Sequence, residues 1–457
     1  MANTAVKQVN QKELFGHPVG LYVLFFTEMW ERFSYYGMRA ILTLYMVHET
    51  TDGFNPGLGW TSGKALALYG WYTMLVYVAS IPGGYIADKF LGQKKSVLVG
   101  GLILVVGQSI LAVSALWAFY TGLGLIITGV GMLKPNISTM VGGLYKKGDI
   151  RRDQGFTIFY IGINLGAFLS SLVVGYVGEK IGWHYGFGLA GIGMTLGMIV
   201  YYMGWPYLVH VGNFIGKDGS DEDKEAMKKP LTDIEKDRVK VLLISFLIVI
   251  VFWGAFEQAG GLMNIYTSEK TNRILSFSLP LIGNEVPASW FQSLNALFII
   301  IFGTIVAGWW ARHKLKGKEA SSLFKMAVGT IIMGTGFLFM TAAVAQYEAD
   351  GTSAMYWLVL AYFFHTIGEL SMSPVALSFI TKLAPVKYAS IMMGVYFAMT
   401  GFGNKLAGIL GEAAEGLGEY VIFTGIAVFT ILFGVLLIAL LKPLKRLTHG
   451  AEDDEHL

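Results

Sequence analysis

Long apolar stretches recur along the whole chain and constrain its fold more than any other feature. A helix needs roughly 20 apolar residues to cross the hydrocarbon of a bilayer, and the sequence offers twelve such stretches. Only 14% of the residues are charged, against about 25% in an average soluble domain. We therefore predict an all-α integral membrane protein. The predicted spans cover residues 18–48, 64–87, 95–115, 118–141, 154–178, 186–207, 239–263, 289–310, 323–345, 354–381, 389–411 and 420–441.

The positive charges of the loops predict the orientation of these spans. Of the 34 lysines and arginines, 26 lie in loops on the side of the N-terminus and 4 in loops on the opposite side. Loops rich in lysine and arginine stay on the cytoplasmic side of a membrane. We therefore expect both termini in the cytoplasm, and we call this side inner and the opposite side outer.

A polar run from Gly216 to Lys240 divides the spans six and six, which suggests two halves related by an axis along the membrane normal. The loop "GGYIADKFLGQKKS" (Gly83–Ser96) resembles the signature loop of the major facilitator superfamily, in which we expect Gly84 to permit close helix contact, and a weaker copy lies at Gly308–Lys318. This resemblance implies a major facilitator fold, two six-helix bundles around a central cavity. The expected parts are a cytoplasmic N-terminus (1–17), an N-terminal bundle (18–207), a cytoplasmic linker (208–238), a C-terminal bundle (239–441) and a cytoplasmic tail (442–457).

Four charged residues interrupt the first apolar stretch, in "TEMWERFSYYGMRA" (Thr27–Ala40). On a helix they share an arc of about 140° with two tyrosines, so they can face the bundle interior instead of lipid. Four unpaired charges at mid-bilayer would cost on the order of 10 kcal/mol. An ion-pair network that only positions the helix is one interpretation, and a substrate or proton site is the one that we favour. The stripe consists of Glu28, Glu31, Arg32, Tyr35, Tyr36 and Arg39.

Further polar residues lie inside the other spans, where an ionisable side chain marks a candidate functional site. An asparagine in the fifth span could instead join helices, beside the Gly162–Gly166 packing motif. His365 is more typical of a structural histidine, and Lys405, near the outer end of its span, of a lysine that reaches the interface. Pro374 should break the helix of the tenth span. The candidates are Lys134, Asn164, Glu257, Asn295 and Glu369.

Two pairs of these charges are candidate gates. Arg39 and Glu257 lie at similar depth and should approach each other when the outer side is closed. Lys134 and Glu369 each lie about 15 residues from the outer end of their span, or roughly 23 Å. We expect these two to attract each other across the cavity when no substrate is bound, and so to favour closure of the inner side.

The sequence argues against several other classes of protein. It lacks the short motifs of metalloproteases, serine hydrolases and nucleotide-binding loops. It contains no cysteine, so no disulfide or thiolate metal site can form, and its net charge of +3 gives no reason to expect a nucleic-acid partner. We expect no enzymatic activity and no cofactor, and we expect the lipid bilayer as the surroundings.

The same residues carry a resemblance to the proton-coupled oligopeptide transporters. "EMWERFSYYG" resembles their E-x-x-E-R signature, "FYIGINLGA" is similar to their second signature, F-Y-x-x-I-N-x-G, and "KPN", "FWGAFEQ" and "GELSMSP" also match in place. The resemblance covers residues 20–440. It implies a bacterial inner-membrane symporter that imports di- and tripeptides together with protons by alternating access.

The resemblance also implies roles for individual residues. The peptide carboxylate would be attracted by Arg32 and Lys134. The peptide amino group would be held by Glu369 with Asn164 and Asn295. Side-chain pockets would be lined by Tyr35, Tyr36 and Tyr69, and proton coupling would involve Glu28, Glu31 and Glu369. A zwitterionic peptide needs a cation and an anion apart from each other in a cavity of low dielectric, which agrees with these roles.

Two departures from the family pattern leave alternatives open. Residues 207–240 are too short and polar for the two extra helices that many bacterial members carry. The eleventh span reads "MGVYFAM" where the family often has tryptophan, so Tyr396 or Phe397 would take that place. The alternatives are a proton-coupled symporter of another small anion, since relatives carry nitrate or glucosinolates, and a peptide sensor that does not transport.

Overall fold

The computed structural model describes residues 12–145, 149, 151–213, 230–280, 283–385 and 389–451. Most of these residues are helical, and the helices follow one another in the order of the predicted spans. The helices are α1 (Val19–Val47), α2 (Ser62–Val78), α3 (Ser80–Ile86), α4 (Gln93–Leu111), α5 (Leu116–Gly143), α6 (Arg151–Lys180), α7 (Trp183–Met203), α8 (Asp233–Phe256), α9 (Leu262–Lys270), α10 (Ser293–Leu315), α11 (Ser322–Asp350), α12 (Met355–Leu383), α13 (Ala389–Leu417), α14 (Glu419–Ala439) and α15 (Leu441–Leu447).

Two of the predicted spans join two α-helices through short turns of another helical type or directly. The second span runs through α2, α3 and a π-helical turn, Ala87–Leu91. The seventh span joins α8 to α9 through a 3₁₀ turn, Glu257–Ala259. Within the described residues, nine helical stretches are long and apolar enough to cross a membrane by length and composition. The predicted all-α membrane architecture is confirmed.

The short strands of the described chain lie before α1 and in segments between helices. On the outer side, β4 (Ile274–Leu279) and β5 (Gly283–Glu285) form an antiparallel hairpin that the sequence did not predict. The other strands are two residues long: β1 (Glu13–Leu14) pairs with β2 (His17–Pro18), and β3 (Thr271–Asn272) with β6 (Ser353–Ala354). None of these pairs contributes to the membrane-embedded core.

Two hydrophobic cores organise the molecule, one in each half. Apart from Ala288, the first core draws its buried side chains from residues 21–211, in α1–α7 and the segment after them. Apart from Leu66, the second draws them from residues 241–444, in α8–α15. Each half therefore buries an apolar core of its own.

The halves meet at two helix crossings, each formed by the second span of one half and the fifth span of the other. In one crossing α2 packs against α13, and in the other α6 packs against α10. At the first crossing a Cβ on Gly70 would lie 2.8 Å from Cα of Gly408, closer than two carbon atoms can pack. Glycine at both positions lets the two backbones touch.

Glycine also sets the packing inside the first half. A Cβ on Gly83 would lie 2.0 Å from the carbonyl oxygen of Gly131, whereas one on Gly84 would meet nothing within 4 Å. The expectation for Gly84 is therefore wrong by one residue, a rotation of about 100° on a helix. The packing motif of α6 behaves as expected, because Cβ atoms on Gly162 and Gly166 would collide with α1.

One other expectation needs correction. Pro374 does not break its helix, since α12 continues to Leu383. The first helix is buried on both faces, including Met29 and Ile41 opposite the charges, so the apolar side of α1 faces protein. Most of the predicted linker (residues 214–229) and the acidic end of the tail (residues 452–457) lie outside the described residues.

Candidate functional site

The charged stripe of α1 forms a compact ion cluster around one arginine. Nη2 of Arg32 lies 2.7 Å from Oε1 of Glu28, and its Nε lies 3.1 Å from Oε2 of Glu31. All three side chains are at most 5% exposed. The second oxygen of Glu28 and both oxygens of Glu31 accept no hydrogen bond from the described residues. Two buried carboxylates thus share one guanidinium, and part of their hydrogen-bonding capacity is unused.

Two tyrosines connect this cluster to its surroundings. The guanidinium carbons of Arg32 and Arg39 lie 5.9 and 4.9 Å from the ring centre of Tyr36, which therefore sits between them. Nζ of Lys134, on α5, lies 3.8 Å from the ring centre of Tyr77. Both contacts have the geometry of cation–π interactions.

A cavity of about 160 Å³ lies between the two halves. Its walls come from α1, α2, α6, α8, α10 and α12. Of the residues singled out from the sequence, the cavity is lined by Tyr36, Arg39, Asn164, Glu257, Asn295 and Glu369. The lining also includes residues that the sequence did not mark as candidates, among them Tyr77, Tyr160, Trp253, Gln292, Tyr362 and Ser373. Most of these are uncharged residues of apolar spans, and single tyrosines in such spans carry no sequence signal for a cavity wall.

Glu369 is held in this wall by its neighbours. Nδ2 of Asn295, on α10, donates to its Oε2 at 2.7 Å and also to Oγ1 of Thr366 at 3.1 Å. Asn164 faces the same cavity but donates to the carbonyl oxygen of Tyr160, one turn earlier on its own helix, at 2.9 Å. The amide nitrogen of Asn164 thus bonds within α6, whereas that of Asn295 bonds across to α12.

The outer side of the cavity is closed by a buried pair from the two halves. Nη1 of Arg39 lies 2.9 Å from Oε1 of Glu257, as expected from the sequence. The hydroxyl of Tyr69 donates to the same carboxylate oxygen at 2.5 Å. Further along, Nδ2 of Asn264 on α9 donates to the carbonyl oxygen of Ala40 at 2.9 Å. The described structure is therefore sealed on its outer side.

The structure does not bring together Lys134 and Glu369. In the described chain the two side chains contact different partners, Lys134 the ring of Tyr77 and Glu369 the amide of Asn295. Their contact was expected in a state closed on the inner side, so the inner gate stays a prediction. Lys134 is 18 residues from the outer start of α5 at Leu116, and Glu369 is 14 residues from the start of α12 at Met355. Four residues correspond to about 6 Å along a helix, so the expectation of equal depth is wrong.

Other candidates lie away from the cavity. Tyr35 and Tyr69 are buried behind its lining, and so is Tyr396. His365 packs against α11, and its ring centre lies 4.4 Å from that of Phe337. Neither of its ring nitrogens has a hydrogen-bond partner among the described residues. Lys405 is 12 residues from the outer end of α13 and lies over the ring of Trp71 at 4.5 Å. Its ammonium group therefore contacts an aromatic ring of α2, in the opposite half.

Comparison with known proteins decides the family. A family model described as the POT family matches residues 94–218 and 222–416. The chain belongs to this family.

Individual relatives agree along the full length. An uncharacterized transporter of Bacillus subtilis (strain 168) is 36% identical, with 97% of this chain and 98% of the relative covered. A di-/tripeptide transporter of Lactococcus lactis subsp. cremoris is 33% identical, with 96% of this chain and 98% of the relative covered. The crystal structure of a peptide transporter POT in complex with sulfate superimposes with a TM-score of 0.86 at 34% identity, over 96% of this chain and 97% of that one.

Proposed function

We propose that this protein is a proton-coupled symporter that imports di- and tripeptides across the bacterial inner membrane by alternating access, with both termini in the cytoplasm. The observation that carries this proposal is the set of buried charges of both signs around a cavity between two halves. Membership of the POT family supports it, as does the similarity to a di-/tripeptide transporter. As a member of a transporter family, the protein would carry out no covalent chemistry.

The cationic side of the site would attract the peptide carboxylate. Arg32 and Lys134 supply the charges, and Tyr36 and Tyr77 place their rings between these charges and the cavity. A carboxylate that reaches this side enters a region of low dielectric where attraction to a cation is strong. Arg32 already holds two carboxylates, so a peptide would compete with Glu28 and Glu31 for it. Tyr35 and Tyr69 would support the pocket from behind its lining.

The anionic side would hold the peptide amino group. Glu369 accepts one hydrogen bond from Asn295 at 2.7 Å, which fixes the carboxylate at the cavity wall and leaves its other oxygen for an ammonium. Asn164 lines the same cavity, where its side-chain amide oxygen can accept a hydrogen bond. A carboxylate and an amide oxygen are acceptors that suit a charged ammonium group.

Proton coupling would arise from competition at these carboxylates. Among the described residues, neither oxygen of Glu31 accepts a hydrogen bond, and Glu31 shares Arg32 with Glu28. If a peptide carboxylate pairs with Arg32, one of the two glutamates loses its cation. Without that cation the protonated form of the glutamate becomes more stable than the ionised form. Protonation of Glu369 would release the ammonium on the inner side.

Alternating access requires the outer seal to open and the cavity to widen. The cavity of about 160 Å³ is smaller than the 300–1,000 Å³ typical of sites for small ligands. Arg39 and Glu257 close the outer side in the described structure, and we propose this pair as the outer gate. Lys134 would act at the inner gate in a state in which its helix end moves towards α12.

Uptake of a labelled dipeptide into proteoliposomes tests the proposal. We expect competition by other di- and tripeptides, and none by free amino acids or tetrapeptides. Inhibition by nitrate in place of peptides would favour the anion symporter. Peptide binding without any uptake in a preparation that holds a pH gradient would favour the sensor, and either result would contradict the proposal.

A further inference from the structure

Two glutamates on the outer side join the halves at places that no sequence motif marks. Glu179 lies in the last turn of α6, in the first half, and Glu415 lies in the last turn of α13, in the second half. Each carboxylate reaches the first turn of a helix in the opposite half. These contacts lie beyond the central pair of Arg39 and Glu257, at the two flanks of the seam.

The contact of Glu179 is the more extensive. Its Oε2 accepts from the backbone N–H of Ala288 at 2.8 Å, and its Oε1 accepts from the N–H and the hydroxyl of Ser289 at 2.8 and 2.5 Å. These residues begin the helical stretch that continues into α10. The first N–H groups of a helix have no partner within it, and a carboxylate there is also favoured by the helix dipole.

Glu415 makes the corresponding contact on the other flank. Its Oε2 accepts from the backbone N–H of Gly63, the second residue of α2, at 2.7 Å. The side chain is otherwise exposed. The two contacts are related by the symmetry of the fold, because α6 and α13 are the fifth span of each half, and α2 and α10 are the second.

Small residues make room for both carboxylates. A Cβ on Gly63 would lie 2.0 Å from Oε2 of Glu415, and a Cβ on Gly175 would lie 2.1 Å from Oγ of Ser289. Either addition would push apart the partners of one contact. Both contacts thus depend on a glycine at the meeting point of the halves.

We propose that Glu179 and Glu415 are a pair of outer latches, which stabilise the outward-closed state by capping helices of the opposite half. Opening the outer side separates the halves there, so it must break both caps and return two helix starts to water. The proposal extends the transport cycle proposed above with two residues that do not contact the cavity. It predicts unequal latches, because Glu179 accepts three hydrogen bonds across the seam and Glu415 accepts one from Gly63.

Two ion pairs that share Glu285 provide supporting electrostatics at the same seam. Lys180, next to Glu179, pairs with Glu285 of the hairpin, and Nη2 of Arg273 lies 3.0 Å from the other oxygen of Glu285. Burial alone would raise the pKa of Glu285, but the hydrogen bond from Lys180 and the charge of Arg273 outweigh it and lower that pKa. Glu285 therefore stays ionised and holds the hairpin against the end of α6.

Glutamine variants separate charge and hydrogen bonding at the latches. Glutamine has a single acceptor oxygen, so Glu179→Gln must lose at least one of its bonds to Ala288 and Ser289, whereas Glu415→Gln can keep its bond to Gly63 and loses only the charge. The matched control is Glu419→Gln. Glu419 lies on the same side and pairs with Lys270 of its own half at 2.5 Å.

Distances between paired spin labels give the readout. The chain has no cysteine, so Thr51→Cys and Thr352→Cys, in exposed outer loops of the two halves, can be labelled cleanly. We expect Glu179→Gln to raise the ratio of long to short distances about tenfold, which corresponds to about 1.4 kcal/mol. Glu415→Gln should raise it less, the double variant more than either, and Glu419→Gln not at all.

A second variant keeps the proposal testable if Glu179→Gln does not fold. Gly63→Ala keeps both carboxylates and displaces only the contact of Glu415, so it should shift the distances in the same direction as Glu415→Gln. A distance distribution for Glu179→Gln equal to that of Glu419→Gln would overturn the proposal, and so would an unchanged distribution in Gly63→Ala. The label distances are measured without peptide, so such a result would not contradict the proposed transport activity. Conversely, a failure of peptide uptake would not contradict the role of the two latches.

Discussion

Arg32 compensates two buried carboxylates at once, and this decides how its replacement must be tested. Arg32→Ala alone would leave Glu28 and Glu31 buried without a cation, which is a severe penalty in itself. In Arg32→Ala/Glu28→Gln one of these charges is also removed. We expect this variant to bind a peptide acid and its C-terminal amide almost equally, because a charged hydrogen bond of about 1.5–3 kcal/mol is lost for the acid only. Binding assays of both ligands measure the ratio.

The control for this test is Glu28→Gln, which keeps the guanidinium. It should retain the wild-type preference for the acid or increase it, since one competitor for Arg32 has lost its charge. If the double variant still prefers the acid by the wild-type factor, the carboxylate is held elsewhere, and Lys134 is the next candidate.

A second test replaces one carboxylate oxygen of Glu369 by an amide nitrogen. Glutamine can keep the hydrogen bond from Asn295 through its oxygen, so Glu369→Gln should preserve the local geometry and remove only the charge and the proton site. We expect loss of proton-driven accumulation, and weaker peptide exchange because the ammonium loses its anion. Counterflow and gradient-driven uptake, measured side by side, separate the two effects. Accumulation at the wild-type level in the variant would remove Glu369 from the coupling scheme.

Helix crossings set the stability of the assembly at the scale of elements. Alanine in place of glycine normally stabilises a helix by up to about 1 kcal/mol, but at Gly70 the new methyl group would lie 2.8 Å from Cα of Gly408. Overpacking of this kind costs roughly 1–3 kcal/mol, so Gly70→Ala should lower the melting temperature in detergent by several degrees. Gly124→Ala is the control, because nothing lies within 4 Å of its Cβ, and it should melt at or above the wild-type temperature. If both variants had the same melting temperature, the crossing of α2 and α13 would accommodate the extra methyl group at little cost in stability.

The sequence predicted these elements well where length and apolar character decide. The first span, expected at residues 18–48, is found at Val19–Val47, because the apolar run begins directly after Pro18 and gives way to polar residues from His48 onwards. Rotation and depth were harder. The choice between Gly83 and Gly84 depends on which face α3 turns to α5, and the depth of Lys134 depends on α5 beginning at Leu116. Both are settled by packing between helices, which no single span encodes.

The candidate site shows the same division. Charged residues such as Glu369 stand out because lipid does not tolerate them, so the pair of Arg39 with Glu257 could be anticipated, whereas the place of Asn295 beside Glu369 was implied by the family resemblance. Tyr77 and Tyr160 line the cavity without any such signal, since a tyrosine is equally at home in a core or at an interface. Which tyrosines face the cavity follows only from the rotation of α2 and α6 in the folded protein.

At the scale of the whole molecule, the energetics of coupling give the last prediction. A zwitterionic peptide carries no net charge, so each proton that accompanies it moves one positive charge inwards. One pH unit then supplies about 1.4 kcal/mol per proton, enough for about tenfold accumulation, and an inside-negative potential adds about 2.3 kcal/mol per charge and 100 mV. In proteoliposomes we expect accumulation of a dipeptide to rise with either gradient and to vanish when a protonophore brings the electrochemical gradient of protons to zero. Exchange across equal pH at zero potential should persist, since it needs no net proton movement. Full accumulation under those same conditions would mean that the carboxylates around Arg32 and Glu369 bind substrate without coupling it to protons.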